Sequence, residues 1–402
     1  MKPKAGDKVK ITTSEGEFEG RLLPRPELME QDITILKLKT GYNIGIENKK
    51  IKKITITEEY KTPVIKAQKI KEKKELPTIA ILSTGGTISS RIDYRTGGVY
   101  ADYTAEDFIA MCPELQEVAN VKAKKIMSVM SEDAMPENWV QMAEEVLKVI
   151  NEVEGVVITH GTDTMHFTSS ALSFLLKDLN KPVIITGAQR SIDRGSSDAF
   201  MNLICAVNAA AKWDGAEVAI CMHATSSDNY CNLIGGTKAR KMHTSRRDAF
   251  RAINDKPLAR VYPDGKIETT NEYAKRNKNK PTQREIDPKV AIIYVYPGME
   301  PDIIEYHLKH KVHGIVIAAT ALGHVPTNNP KSLIPAIKKA AKKIPIVICS
   351  QTIYGRVHPY VYTNLRRVSI EAGALYLEDM LPETAYTKLM IALKQENPKE
   401  FM

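Results

Sequence analysis

The chain has 402 residues, 43% hydrophobic and 26% charged, which is enough for two or three domains with cores of their own. No apolar run approaches the roughly 20 residues of a membrane span, and the opening MKPKAGDKVK lacks the apolar segment of a secretory signal, so we expect a cytoplasmic protein without membrane contact. Five scattered cysteines form no CxxC pair, which argues against a zinc knuckle or a disulfide framework.

The net charge of +9 is concentrated near the start of the chain. Residues 1–75 carry 18 Lys+Arg against 12 Asp+Glu. This asymmetry predicts an anionic partner for the N-terminal part, RNA being the obvious one. The alternative is that a lysine-rich surface only keeps the protein soluble.

Residues 1–60 have the pattern of a small β domain. Short alternating runs are separated by polar turns, and we expect five strands, near 9–12, 18–22, 33–38, 43–46 and 51–56. This spacing is typical of a small SH3-like or Sm-like barrel. Such barrels bind RNA, bind proteins or only extend an enzyme, and the fold alone does not decide. The lysine-rich segment 61–76 is predicted to be a linker.

Residues 77–270 alternate between apolar runs and amphipathic segments, which predicts a doubly wound α/β domain. We expect strands at 79–82, 125–129, 155–158, 182–186 and 217–222, and helices at 136–150, through 173–176 and at 199–213. The basic stretch 235–251 is predicted to be irregular.

The polar segment 271–288 is predicted to be a second linker, followed by a smaller α/β domain over 289–402. Its expected strands are 290–295, 314–318 and 345–350, and its expected helices lie near 301–310, 331–343 and 382–395.

Three polar clusters follow successive predicted strands: Thr87, then Ser131-Glu132-Asp133, then Thr162-Asp163. The carboxyl ends of parallel strands meet at one edge of an open sheet, so these clusters should converge. Gly85 and Gly86 allow a sharp turn and a close ligand approach to backbone N–H groups. A threonine nucleophile there would need a hydrogen-bonded relay and oxyanion donors.

The segments STGGTI (83–88) and THGTDT (159–164) resemble the two signature motifs of the L-asparaginase/glutaminase family. The likeness runs over 77–402. An asparaginase body with such an N-terminal extension looks like the family of D subunits of archaeal glutamyl-tRNA(Gln) amidotransferases. The resemblance implies an asparaginase-like two-domain doubly wound α/β body that carries a small N-terminal β-barrel.

The resemblance also implies catalytic roles. Thr87 matches the nucleophile, and Tyr94 matches the tyrosine of a mobile loop that closes over the substrate. Thr162, Asp163 and Lys241 match a Thr–Asp–Lys relay.

For substrate binding, the resemblance implies that Ser131 and Glu132 hold the α-carboxylate and α-amino groups, and we add Gly86 as a backbone contact. It implies no metal and no organic cofactor in this chain.

The function implied is a glutaminase subunit that releases ammonia from glutamine through a threonine acyl-enzyme. A partner, the E subunit of the amidotransferase, would use ATP and Mg²⁺ to convert Glu-tRNA(Gln) to Gln-tRNA(Gln), so tRNA(Gln) would be met through the complex. A homodimer core giving a heterotetramer is expected. The alternatives are a stand-alone L-asparaginase, or a non-catalytic RNA-binding scaffold of translation.

Each candidate residue also has an ordinary structural interpretation. Lys241 stands in a basic run that could be a solvated face. Asp163 could have no role other than to cap the helix that follows it. His160 and His166 lack the HExxH spacing of a zinc site, and we interpret His160 as structural.

Overall fold

The structure is a computed structural model. It describes residues 3–23, 32–60, 73–85, 90–92, 99–101, 112–192 and 196–402, and for 90–92 and 99–101 it describes the backbone pairing only.

The N-terminal domain is a five-stranded antiparallel sheet. Its strands are β1 (Lys8–Thr13), β2 (Glu17–Leu22), β3 (Ile33–Leu38), β4 (Asn43–Glu47) and β5 (Ile51–Glu58), and a short 3₁₀ turn, Asn48–Lys50, precedes β5. Their order is β4-β3-β2-β1-β5. Val9, Ile11, Leu36 and Ile46 form its buried core because alternate residues of a strand point to one face. All five predicted strands are present.

The large domain is built on an eight-stranded sheet with helices on both faces. The strands of the whole domain, which include short two-stranded sheets beside the main one, are β6 (Thr78–Ser83), β7 (Ser90–Ile92), β8 (Val99–Ala101), β9 (Asn120–Lys125), β10 (Gly155–Thr159), β11 (Leu176–Lys177), β12 (Val183–Thr186), β13 (Val218–His223), β14 (Cys231–Gly235), β15 (Ala239–Lys241), β16 (Phe250–Ala252), β17 (Ala259–Val261), β18 (Ile267–Thr269) and β19 (Thr282–Gln283). The helices of this domain among the described residues are α1 (Leu115–Val118), α2 (Pro136–Val149), α3 (Met165–Leu175) and α4 (Ala199–Lys212).

The main sheet has the order β18-β17-β14-β13-β12-β10-β6-β9, and the strands from β13 to β9 are parallel. Central strand β6 contributes to two cores. Ala80 and Leu82 pack with α2 and α3 on one face, whereas Ile79 and Ile81 pack with α4 on the other. Burial on both faces explains why β6 is a continuous apolar run.

Two predictions about this domain were wrong. The strand expected at 125–129 lies earlier, as β9, because Val121 and Ala123 pack on the α4 side while alternating lysines conceal the pattern. The stretch 235–251 is not irregular throughout. It contains the hairpin β15–β16, in which Ala239 pairs with Ala252 and Phe250 is fully buried.

The small domain has a parallel sheet in the order β20-β21-β22-β23. Its elements are β20 (Val290–Tyr294), α5 (Asp302–Lys309), β21 (Gly314–Ala319), α6 (Ile334–Ala341), β22 (Ile346–Ser350), α7 (Thr363–Arg366), β23 (Leu375–Tyr376), α8 (Pro382–Ala392) and α9 (Pro398–Phe401), with a π turn at Arg367–Glu371. The segment 271–288, which connects the two domains, packs along the large domain. There β19 pairs with β11, and the Arg276 side chain donates to the carbonyl of Trp213 (2.9 Å).

Helices α3 and α8 join the two domains. The hydroxyls of Ser170 and Thr387 lie 2.8 Å apart in this contact, and one hydrophobic cluster contains Leu172 of the large domain together with Val316 and Leu389 of the small one. Across the residues that the structure describes, no helix is long and apolar enough to cross a membrane.

Candidate active site

The candidate site lies at the carboxyl edge of β9, β6 and β10, which are neighbours in the large sheet. The chain leaving β6 is tied to β10, because Thr84 donates its N–H (3.1 Å) and its hydroxyl (2.8 Å) to the carbonyl of Thr159. The N–H of Val129, beyond β9, donates to the carbonyl of Thr84 (2.9 Å). The segments that follow three strands therefore meet at one place, as is usual for ligand sites in open α/β sheets.

Two glycines allow these segments to approach so closely. Gly85 has φ +107°, and a Cβ there would lie 2.9 Å from the carbonyl oxygen of Val129. A Cβ on Gly161 would lie 2.7 Å from the Cβ of Ser131. The Thr164 hydroxyl also donates to the Ser131 carbonyl (2.6 Å), so buried Ser131 is held against the loop that carries Thr162.

Lys241 brings the predicted relay together. Its Nζ donates to the hydroxyl oxygen of Thr162 (2.9 Å) and to a carboxylate oxygen of Asp163 (2.6 Å). The Lys241 side chain is 9% exposed, whereas that of Asp163 is 65% exposed. The ammonium is therefore enclosed, and the carboxylate that neutralises it faces the open side of the site.

The β15–β16 hairpin places Lys241 there. Lys241 pairs with Phe250, whose full burial anchors the hairpin to the core. At the hairpin's base, the Ser169 hydroxyl of α3 donates to the Gly236 carbonyl (2.8 Å). Because α3 begins directly after the Thr162–Asp163 loop, the helix fixes both ends of the relay.

The ordinary interpretations of Lys241 and Asp163 do not describe this structure. Lys241 is enclosed rather than solvated. The cap residue of α3 is Thr164, with no side-chain cap hydrogen bond, and the Asp163 carboxylate contacts Lys241.

His160 is a buried structural residue, in agreement with its interpretation from the sequence. Its Nδ1 lies 2.6 Å from the carbonyl oxygen of Gly161, and its Nε2 lies 3.0 Å from the hydroxyl of Thr168, which also accepts the indole N–H of Trp139 (3.0 Å). A carbonyl only accepts, so Nδ1 carries the proton. Burial lowers the pKa of His160, which keeps the ring neutral and leaves Nε2 to accept from Thr168.

The buried hydrogen-bond series from Trp139 through Thr168 to His160 also orients the Gly161–Thr162 peptide. The peptide is trans, and in a trans peptide the N–H points opposite to the C=O. His160 holds the Gly161 carbonyl on the buried side, so the N–H of Thr162 points to the other side. No acceptor among the described residues bonds that N–H.

His166 is a second neutral histidine beside the relay. Burial, together with the positive charges of Arg240 and Lys241, lowers its pKa to about 3. Its Nδ1 is buried and has no hydrogen-bond partner among the residues that the structure describes. We therefore expect no change of charge at His166 across the neutral pH range.

An open cleft of about 410 Å³ adjoins these groups. It is lined by Asp163, His166, Arg240, Lys241, Met242, His243 and Thr244. Next to Lys241, the Arg240 guanidinium crosses to the small domain and lies 2.6 Å from the carboxylate of Glu383, which is almost fully buried. Burial raises the pKa of Glu383, and the charge of Arg240 opposes that rise.

The structure brings together Ser131, Thr162, Asp163 and Lys241, and it places exposed Glu132 next to Ser131 in the 3₁₀ turn Ser131–Asp133. The predicted Gly86, Thr87 and Tyr94 lie outside the described residues. Within the part of the chain that the structure describes, no group of three or more His, Cys, Asp or Glu side chains is arranged to hold a metal.

Comparison with known proteins agrees with this architecture. Residues 78–275 match the asparaginase N-terminal family, residues 289–401 the glutaminase/asparaginase C-terminal domain, and residues 4–57 the GatD N-terminal domain. The D subunit of the glutamyl-tRNA(Gln) amidotransferase of Pyrococcus furiosus is 49% identical over 98% of this chain and 90% of its own length. The chain belongs to the family of glutamyl-tRNA(Gln) amidotransferase D subunits.

Other members of this family are nearly as similar. The D subunit of Methanothermobacter thermautotrophicus is 44% identical over 98% of this chain and 90% of its own length. Among solved structures, the thermostable L-asparaginase from Thermococcus kodakarensis superimposes with a TM-score of 0.73 at 30% identity, covering 81% of this chain and 95% of its own. The predicted family, asparaginase-type fold and amidohydrolase class are confirmed.

Analysis of the sequence missed several residues of the site. Arg240 was seen only as part of a basic run, and its buried partner Glu383 lies 143 positions away in the sequence. The Trp139–Thr168–His160 hydrogen-bond series was also missed, because Trp139 and Thr168 are 29 positions apart and no local pattern connects them. The available local signal was position: His160 lies inside the second motif and His166 two residues after it, which makes both histidines neighbours of the relay.

Proposed function

We propose that this chain is the glutaminase subunit of a tRNA-dependent amidotransferase, and that it hydrolyses the side-chain amide of glutamine through an acyl-enzyme on Thr87. The ammonia would pass to a partner, the E subunit, for the amidation of Glu-tRNA(Gln). The observation that carries the proposal is the contact of Lys241 with both Thr162 and Asp163 at the end of the strand beside β6. The names of the relatives support the choice of pathway.

The relay suits proton transfer in both half-reactions. In acylation, Thr87 oxygen forms an ester with the amide carbon, the C–N bond breaks, and the proton of the Thr87 hydroxyl leaves on the departing nitrogen as ammonia. In deacylation, water cleaves the ester, giving glutamate and restoring the hydroxyl. Thr162 accepts a hydrogen bond from Lys241, so its own proton can pass to the departing nitrogen while its oxygen takes the proton that Thr87 loses. Thr162 and Lys241 then end the step in the protonation states in which they began it.

Backbone and side-chain groups near the relay would position the substrate. The N–H of Thr162, turned away from the His160 chain, and that of Thr87 would stabilise the developing oxyanion. The exposed carboxylate of Glu132 suits an α-ammonium group, and Ser131 and Gly86 would contact the α-carboxylate end. Tyr94 would close over the substrate and assist Thr87.

In this proposal side chains would supply the nucleophile and the proton path, and backbone N–H groups would supply the oxyanion donors, so the hydrolysis would need no metal or organic cofactor in this chain. ATP and Mg²⁺ are assigned to the partner. We also propose a homodimer core within a heterotetramer, and a cytoplasmic location.

The mechanism is tested by ammonia release from glutamine. Thr87→Ala and Asp163→Ala should abolish or strongly reduce release while circular dichroism stays unchanged. Glu152→Ala is the control, because this exposed acid lies just before the amino end of β10, at the edge of the sheet opposite the site. Full activity in either site variant would refute the mechanism.

A stand-alone asparaginase is the second candidate, favoured by the superposition on an L-asparaginase. A pocket distinguishes asparagine from glutamine by one methylene, worth about 1–3 kcal/mol. Ammonia release from both amides should therefore be measured for the chain alone and with its partner and Glu-tRNA(Gln). Stimulation of glutamine hydrolysis by partner and tRNA supports the proposal, whereas full asparaginase activity that ignores tRNA contradicts it.

A further inference from the structure

A positively charged concavity lies on the N-terminal sheet, far from the amidase relay in the sequence. We call it the basic groove and define it by Lys8, Arg21, Lys37 and Lys39. It encloses about 390 Å³, with Gly20, Leu38 and Gly41 completing its lining. No role in amide hydrolysis accounts for it.

The strand register places three of these cations in one row. Lys8 of β1 pairs with Arg21 of β2, and Arg21 pairs with Lys37 of β3. Residues directly opposite each other on neighbouring strands share a face, with Cβ atoms about 4.5–5.5 Å apart, and like charges there are destabilising. Lys39 lies in the turn directly after β3 and lines the same groove. The arrangement therefore costs free energy that an anion in the groove would offset.

The described residues neutralise only part of this charge. Lys8 pairs with Glu19 (3.1 Å), and one nitrogen of the Arg21 guanidinium donates to the carbonyl of Gly6 (2.7 Å). Within the described residues, no carboxylate lies within ion-pair distance of Arg21, Lys37 or Lys39. Among the carboxylates of the described chain, only Glu19 forms an ion pair with one of the four cations.

An exposed aromatic residue, Tyr42, directly follows Gly41 of the groove lining in the chain. The turn between β3 and β4 brings Tyr42 next to Leu38, whose N–H donates to the Tyr42 carbonyl (2.8 Å). The Tyr42 side chain is left 75% exposed. Exposed aromatics beside basic grooves provide stacking surfaces for unpaired bases.

We propose that the basic groove binds the phosphate backbone of RNA, with Tyr42 stacking on an adjacent base. A row of cations across three strands, with Arg21 and Lys37 exposed and Lys8 half-buried, suits a chain of repeated phosphates better than one small anion, which would call for buried donors. The aromatic neighbour favours RNA over an acidic peptide. The proposal is independent of the amidase site, so either one can fail alone.

The test is binding of a fluorescently labelled tRNA transcript to the full chain over a range of salt concentrations. Removing two phosphate contacts in a Lys37→Gln/Lys39→Gln variant should lower the salt slope by about 1.4–1.8 and raise Kd about 10- to 50-fold near 0.1 M salt. Lys342→Gln/Lys343→Gln removes two exposed lysines of the small domain and is the matched control, which should bind like the parent. Glutamine hydrolysis should be unchanged in both variants.

Tyr42 gives an independent readout. Tyr42→Ala should raise Kd about tenfold without changing the salt slope, and Tyr42→Phe should restore binding, because stacking needs the ring and not the charge. Unchanged RNA binding in the Lys37/Lys39 variant, or an equal loss in the Lys342/Lys343 control, would overturn the proposal. So would binding of a polyglutamate peptide to the groove in preference to the tRNA.

Discussion

His166 should make the large domain sensitive to acid. The ring is buried and neutral in the folded protein, with a pKa of about 3, against about 6.5 in an unfolded chain. Between these values the unfolded state binds the additional proton, so lowering the pH favours unfolding. Stability from this group is thus complete above pH 7 and is lost progressively as the pH falls toward 3. Between pH 7 and pH 5 the loss amounts to about 2 kcal/mol.

A His166→Gln variant isolates this contribution. Glutamine does not titrate, and the Nδ1 that it replaces makes no hydrogen bond to any described residue, so stability at pH 7 should change little. The variant should lose about 2 kcal/mol less than the parent between pH 7 and pH 5. His310→Gln, which changes an exposed histidine of the small domain, should keep the parent's pH dependence.

The assay is urea unfolding at both pH values, followed by tryptophan fluorescence. The two tryptophans of the chain, Trp139 and Trp213, are both buried in the large domain, so the signal reports the domain that holds His166. Equal pH dependence in parent and His166→Gln would show that the ring is not a buried neutral group, and the reasoning would fail.

Three further predictions concern the site. Lys241→Met should lower kcat for glutamine at least 100-fold with unchanged circular dichroism, because Thr162 loses the hydrogen bond that orients its hydroxyl for proton transfer. Steady-state ammonia release measures this loss. Gly161→Ala should destabilise the protein by about 1–3 kcal/mol in urea unfolding, because the new Cβ would overlap Ser131, and parental stability would contradict the packing described. Arg240→Met should lower the free energy of unfolding by about 3–5 kcal/mol, because it leaves the Glu383 carboxylate buried without its partner. Adding Glu383→Gln to this variant should recover part of the lost stability in the same assay.

The sequence predicted most reliably what local pattern determines. Continuous apolar runs marked β6 and β10, since strands buried on both faces carry little else. Strand β9 was misplaced because its inward residues, Val121 and Ala123, alternate with lysines. An edge strand that is buried on one face has fewer apolar residues than a central strand, so its sequence pattern is weaker. The prediction was placed on the more apolar residues that follow β9.

The relay could not be assembled from local pattern. Lys241 is 79 positions from Thr162, and only the family resemblance connected them. Its enclosure depends on the hairpin with Phe250 and on the packing of α3, which are long-range contacts. The same holds for Arg240, whose buried partner belongs to another domain. The predicted roles of Thr87, Tyr94 and Gly86 stay predictions, since these residues lie outside the described ranges.

The contact of α3 with α8 bears on how the chain can be divided. Sequence families split it between residues 275 and 289, yet Leu172, Val316 and Leu389 belong to a single hydrophobic cluster across that boundary. The two parts expressed separately would each expose a large apolar face to water, and neither would be soluble by itself. A protease cut between β18 and β20, by contrast, would leave two fragments that remain associated, with the amidase relay still assembled.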